Sequence, residues 1–174
     1  MTFSLYDATI PVFLQVLGSV SGLLDKAEAW TAEKQVSELE IIDFRLVPDM
    51  LPFSYQVKSV VIHSVGAIQS VPSGQFSPDR SEPPQSFQGL KERVAQAIDS
   101  LEALTPEEVN AFVGSDMAFL LGEFRMEFTS ADAFLMGFSM PNIMFHASTA
   151  YNLLRLKGLE IGKRDFLGAM PLKR

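Results

Sequence analysis

Apolar residues recur at steps of three and four in four long stretches of the chain, which predicts four long helices. The first covers residues 8–30, where Phe13, Val16, Leu17, Val20, Leu23, Leu24 and Ala27 make one broad stripe and Pro11 falls in the first turn. The second opens at Pro52 and carries Phe53, Val57, Val60, Val61, Val65 and Ile68 to about Ser70. The third spans about Phe87 to Leu104 on Leu90, Val94, Ala97, Ile98 and Leu101. The fourth starts at "TSAD" (Thr129–Asp132), a capping pattern, runs to about Lys157 and stops at Gly158, a C-cap residue.

Shorter elements fill the gaps. "SELE" (Ser37–Glu40) has capping-box spacing and predicts a short helix to about Phe44. "TPEE" (Thr105–Glu108) predicts another, with proline at its first position. From Ala118 to Phe128 the period changes to two: Phe124, Met126 and Phe128 alternate with charged residues, and Gly122-Glu123 suits a two-residue turn with glycine first. A small β-hairpin is expected there. "RLVPDMLPF" (Arg45–Phe53) reads as an irregular connector.

Residues 71–85, "VPSGQFSPDRSEPPQ", read as extended chain. About 14 extended residues reach ~40 Å, and a 20-residue helix is ~30 Å long. The segment can therefore cross the full length of the helices. The expected fold is all-α: one domain over residues 1–174, a four-helix bundle with a long crossover between helices two and three and a small hairpin before helix four.

Charge and composition narrow the function classes. The chain has 174 residues and a net charge of −7. Residues 155–174 carry +4, from six basic and two acidic side chains, so the rest carries −11. The basic residues Arg155, Lys157, Lys163, Arg164, Lys173 and Arg174 fit a helix C-terminus and a solvated tail. So acidic a body repels phosphate backbones, and no nucleic-acid partner is expected. The absence of cysteine excludes disulfides and thiolate chemistry. The N-terminus has no basic n-region, so no secretory signal is read and the expected location is the cytoplasm.

Two uncharged runs, Ala8–Leu24 and Ala133–Leu154, invite a membrane reading. The second holds Ser139, Asn142, His146, Ser148, Thr149 and Asn152, which are costly in lipid, so a buried soluble helix is expected instead. Its apolar residues go almost all the way round, with Ile143, Met144 and Leu154 opposite Phe134 and Phe138. That predicts cover from the hairpin and tail, or a homodimer through helix four with helix one as a possible contributor.

Few residues carry chemistry. His63 and His146 are the two histidines, and no H-x-x-x-H or H-E-x-x-H spacing occurs. Asn142, His146 and Thr149 share one face, which points His146 inward as a buried histidine or a ligand contact. His63 lies roughly 110° from the centre of its helix's apolar stripe, on the flank, where it is either exposed or meets a neighbouring helix. Pro141 predicts a kink, with Asn142 donating to a carbonyl that the kink frees. Arg45 and Asp49 flank Pro48 and are expected to pair at a bundle mouth. The candidate pocket is therefore His146, Asn142, Gln56, Arg45, Asp49 and Tyr151, with Tyr6 and Tyr55 as further polar tips.

"LYDATIPVFLQVLGSVSGLLDKA", "RLVPDMLPFSYQV", "MPNIMFHASTAYNLLRLKG" and "IGKRDFLG" resemble, in order, blocks of a bacterial domain-of-unknown-function family grouped with the DinB/YfiT-like four-helix bundles. The likeness rests on Arg45, Pro48, Asp49, Met50, Pro52, Gln56, Pro141, Asn142, Phe145, His146, Ala150, Tyr151 and Leu154. It implies a bundle with a long crossover, frequently dimeric, in a superfamily that includes metalloenzymes and metal-dependent thiol transferases. Such relatives hold a divalent metal with one second-helix histidine and an H-x-x-x-H pair. Here Asn142 and Ala150 lie four residues from His146, and Val60 falls nearer the expected second-helix position than His63. No cofactor is therefore predicted. The first functional reading is a dimer that binds a small molecule near His146. The alternative is a degenerate metal-dependent hydrolase or thiol transferase using His63 and His146 with zinc, nickel or iron.

Overall fold

The computed structural model describes residues 4–173 and is mostly helical, with one small sheet. Ser4 caps α1 (Leu5–Lys34) by accepting the amide of Asp7. The helix therefore begins before residue 8, and Pro11 lies inside it rather than in its first turn. The short α2 (Leu39–Ile42) follows. Its expected capping box does not form: Glu40 pairs with Lys157 at 3.0 Å, and Glu38 accepts the amide of Phe87 at 2.9 Å.

The second rod is continuous but not uniform. α3 (Phe53–Val61) passes into a π-helical turn (Ile62–Gly66), then α4 (Ala67–Ser70) and a 3-10 turn (Val71–Ser73). The segment expected as a plain connector then forms a strand, β1 (Gln75–Phe76). Beyond it come α5 (Phe87–Glu102), capped by Ser86, and the expected short helix α6 (Pro106–Asn110), where Thr105 is the N-cap and Glu108 completes a capping box with it.

The hairpin is β2 (Met117–Leu121) and β3 (Phe124–Phe128), antiparallel, with Leu121 opposite Phe124. Gly122 takes φ +61, which is why glycine stands first in the turn. β1 pairs in parallel with β2, Phe76 against Phe119. Phe76 is 2% exposed, so this one aromatic draws the proline-rich segment into the core.

The last rod is α7 (Ala131–Phe134), a second π-helical turn (Leu135–Ser139) and α8 (Met140–Leu156). Its cap is Ser130 rather than Thr129, and Asp132 accepts the amide of Gly114. Pro141 sits in the first turn of α8, so the missing N–H is absorbed by the π turn instead of a break. Asn142 does donate back, to the carbonyl of Phe138 at 2.8 Å. Gly158 (φ +94) follows the C-cap Lys157, and the amide of Leu159 bonds the carbonyl of Leu154, a Schellman-type stop. α9 (Lys163–Leu167) ends the described helices.

α1 packs on α5 and α8, and α3 packs on α8 and α5, so the long helices form a ring. Phe13, Leu17, Leu24, Phe53, Val60, Leu90, Phe134 and Leu154 are its fully enclosed centre. Each such side chain contributes about 1.5–3 kcal/mol through burial. α1 is long and apolar enough to cross a bilayer by length and composition, yet its stripe faces this ring. α9 docks on α1: Ser19 donates to the carbonyls of Asp165 and Phe166, and Lys26 pairs with Asp165.

Helix four is not covered all round. Ile143 and Leu154 are fully buried, but Pro141, Phe145, Asn152 and Leu156 line one open face. The basic residues behind it are partly engaged, Arg155 on the carbonyl of Leu159 and Lys157 above the ring of Phe44. Arg174 lies outside the described residues.

One buried charge anchors the connector. The side chain of Lys58 is 0% exposed. It donates to the carbonyl of Ser81, to Ser81 Oγ at 3.3 Å, and lies 3.4 Å from Asp79, which also binds Arg93. Partial burial opposes the Asp79 charge. Hydrogen bonds from Ser81 and Arg93 and the Lys58 charge outweigh that, so its carboxyl is held well below the usual range.

Candidate functional site

The two π turns stand on neighbouring rods and touch: His63, in the first, has its ring 5.6 Å from that of Phe138, in the second. Such turns insert an extra residue, redirect the side chains around them and recur at functional sites. Here His63, read on the flank of its helix, meets the neighbouring rod rather than water. Its ring is 7% exposed, enclosed by Phe76 at 5.5 Å and Phe138, and nearly parallel to His146 at 5.8 Å and 16°. α3 is enclosed by α8, α5 and the connector, so its flank does not meet water.

Gln56 sets the state of His146. The Gln56 amide donates through Nε2 to the carbonyl of Leu51 at 2.8 Å. A carbonyl only accepts, so the amide nitrogen must lie there and Oε1 must face His146 Nδ1, 2.7 Å away. Oε1 is also only an acceptor. Nδ1 therefore carries the proton, and Nε2 of His146 presents a bare lone pair. That Nε2 makes no hydrogen bond to the described residues.

Both rings are kept neutral. Burial lowers His146 from 6.5 to about 4. Burial, and then the proximity of His146, lowers His63 to about 4. His63 Nδ1 is fully buried and without a partner, as is Ser139 Oγ in the other π turn. An amide behind His146, rather than a carboxylate, leaves an imidazolium uncompensated. The group is thus fitted to accept a hydrogen bond and poorly fitted to hold a proton.

The remaining candidates separate. Tyr55 meets the His146 ring at 6.4 Å and Phe145 meets it edge-on at 5.2 Å. Arg45 does not pair with Asp49. It donates to the carbonyl of Met50 at 2.7 Å and lines a cleft of about 340 Å³ with Asp43, Leu51, Pro52, Tyr55 and Glu82. Tyr55 is thus shared between that cleft and the imidazole pair. Asp49 is exposed and makes no ion pair with the described residues. Tyr151 is roughly 140° round the helix from His146, and it packs on Phe166. Tyr6 receives the Asn110 side chain on its backbone amide, at another end of the molecule. Asn142 is committed to Phe138.

The donor set near the pair is two imidazoles and one amide oxygen already bound by His146. Among the described residues no three His, Cys, Asp or Glu side chains converge as a metal site. A catalytic zinc takes three protein ligands, so these residues fall one short of that set.

Sequence and structure comparisons bear on the family and the fold. A model described as a domain of unknown function (DUF1993) matches residues 5–167. A crystal structure of a DinB family member from Shewanella denitrificans superposes with a TM-score of 0.81 and 26% identity, over 98% of this chain and 95% of that one. No curated protein matches.

Proposed function

The chain belongs to the DUF1993 family of domains of unknown function and has a DinB-like structural neighbour; from that premise we propose that it is a small-molecule-binding DinB-type four-helix bundle, with residues 71–85 as the long crossover. The site is the seam of α3 and α8 at His146, with Gln56 and His63 behind it and Tyr55 and Phe145 at its rim. The observation that carries this reading is the fixed, unpartnered Nε2 of a neutral His146 beside an exposed aromatic ring. A lone acceptor among apolar walls is how ligand sites fix orientation. The protein acts as a cytoplasmic homodimer through the open face of α8 beyond the site, where Leu156 is 61% exposed.

A fragment screen read on the ring signals of His63 and His146 tests the site. Fragments that shift both rings in the intact protein, and bind less to His146→Phe, support it. A diverse library that leaves both rings unmoved contradicts it. The metal-dependent alternative keeps His63 and His146 but lacks a third ligand, and no step is assigned to it.

A further inference from the structure

We infer that the ligand of this site is an uncharged hydroxyl compound of the phenol class, which donates its O–H to Nε2 of His146. The inference rests on the small-molecule reading above and adds the chemistry of the ligand.

Three features exclude other classes. First, the polar face of the site is an acceptor. Gln56 spends one N–H on Leu51 and its oxygen on His146, and at 2% exposure it lies buried behind the imidazole, so its second N–H is not presented to a ligand at the rim. A carboxylate or phosphate oxygen would meet a lone pair at Nε2 and leave both groups unpaired, which is costly away from water. Second, the site has no counter-charge. No Asp or Glu among the described residues hydrogen-bonds or ion-pairs with either histidine. An ammonium group would be desolvated there without compensation. A neutral O–H satisfies the acceptor at no such cost.

Third, the surroundings of the acceptor are aromatic. Phe145 stands at 81° to the His146 ring, and Tyr55 at 65°. Edge-to-face partners of this kind attract each other beyond what area burial supplies, because the positive ring edge meets the negative ring face. The exposed edge of Phe145 is an unfilled position for such a partner. A ring bearing one hydroxyl matches both the acceptor and its rim, whereas an aliphatic alcohol matches only the acceptor.

The test uses four probes of similar size on the full-length protein at neutral pH: phenol, benzoate, benzylamine and toluene. Binding is followed at the ring nitrogens of His146. Phenol is expected to bind about tenfold or more tightly than each of the others, with the largest shift at Nε2. In His146→Phe the preference of phenol over toluene should vanish. Benzoate or benzylamine binding at His146 as tightly as phenol overturns the inference and leaves the small-molecule reading standing. A panel in which no probe moves the His146 ring removes both.

Discussion

Gln56 Oε1 and His146 Nδ1 lie 2.7 Å apart, and that contact joins α3 to α8 while deciding which imidazole nitrogen carries the proton. Gln56 is 2% exposed, so the contact is shielded from water. Replacing Gln56 by Leu keeps much of the volume but strands the Nδ1–H of His146. The expected loss is about 1–3 kcal/mol, read by denaturant unfolding. An unchanged midpoint would show that the contact does not hold the seam.

Stability should fall as pH drops from about 6.5 towards 4, before most carboxylates titrate. Both histidines have folded values near 4 against an ordinary value of 6.5. The unfolded chain therefore binds more protons in this window. Stability is full above 6.5 and is lost as pH falls, up to about 3 kcal/mol per ring. Melting curves of the wild type and of His63→Phe check this: the variant should show the flatter dependence. Asp79, whose folded value is depressed, contributes stability that is lost only at lower pH, below the usual carboxylate range.

Much of the scaffold is legible in local chemistry. The Thr105 cap and the Gly122 turn were readable because partners three residues apart, or a single φ, decide them. β1 was not, because Gln75–Phe76 gains its bonds from Met117–Leu121, far along the chain. The same holds for the site. His146 and Gln56 could be picked as candidates, but their contact spans 90 positions. That the flank of His63 meets the neighbouring rod rather than water is not legible, because regular helical spacing takes no account of the π turn or of the neighbours that enclose α3. Lys58 gave no sign of burial, since a lysine is normally solvated and its partners Asp79 and Ser81 lie in another segment.

Lys58 is expected to hold the crossover in place. Lys58→Ala leaves a cavity and frees Ser81 and Asp79, at a cost of about 2–4 kcal/mol. Hydrogen exchange should rise selectively over residues 77–85. Uniform protection in the variant would show that the connector is held by Phe76 alone.

The proposed dimer follows from the open face of α8. Asn152 and Leu156, one turn apart at the end of that face away from the site, are both exposed. Sedimentation at micromolar concentration should give a dimer for the wild type and a monomer for Leu156→Glu. A monomeric wild type would contradict this interface.

The protonation of His146 tests the account most directly. Long-range nitrogen–proton correlation spectra at neutral pH report each ring nitrogen separately. The prediction is a neutral imidazole protonated at Nδ1, with Nε2 unprotonated. A cationic ring, or a proton on Nε2, would contradict the Gln56 relay and the acceptor site built on it.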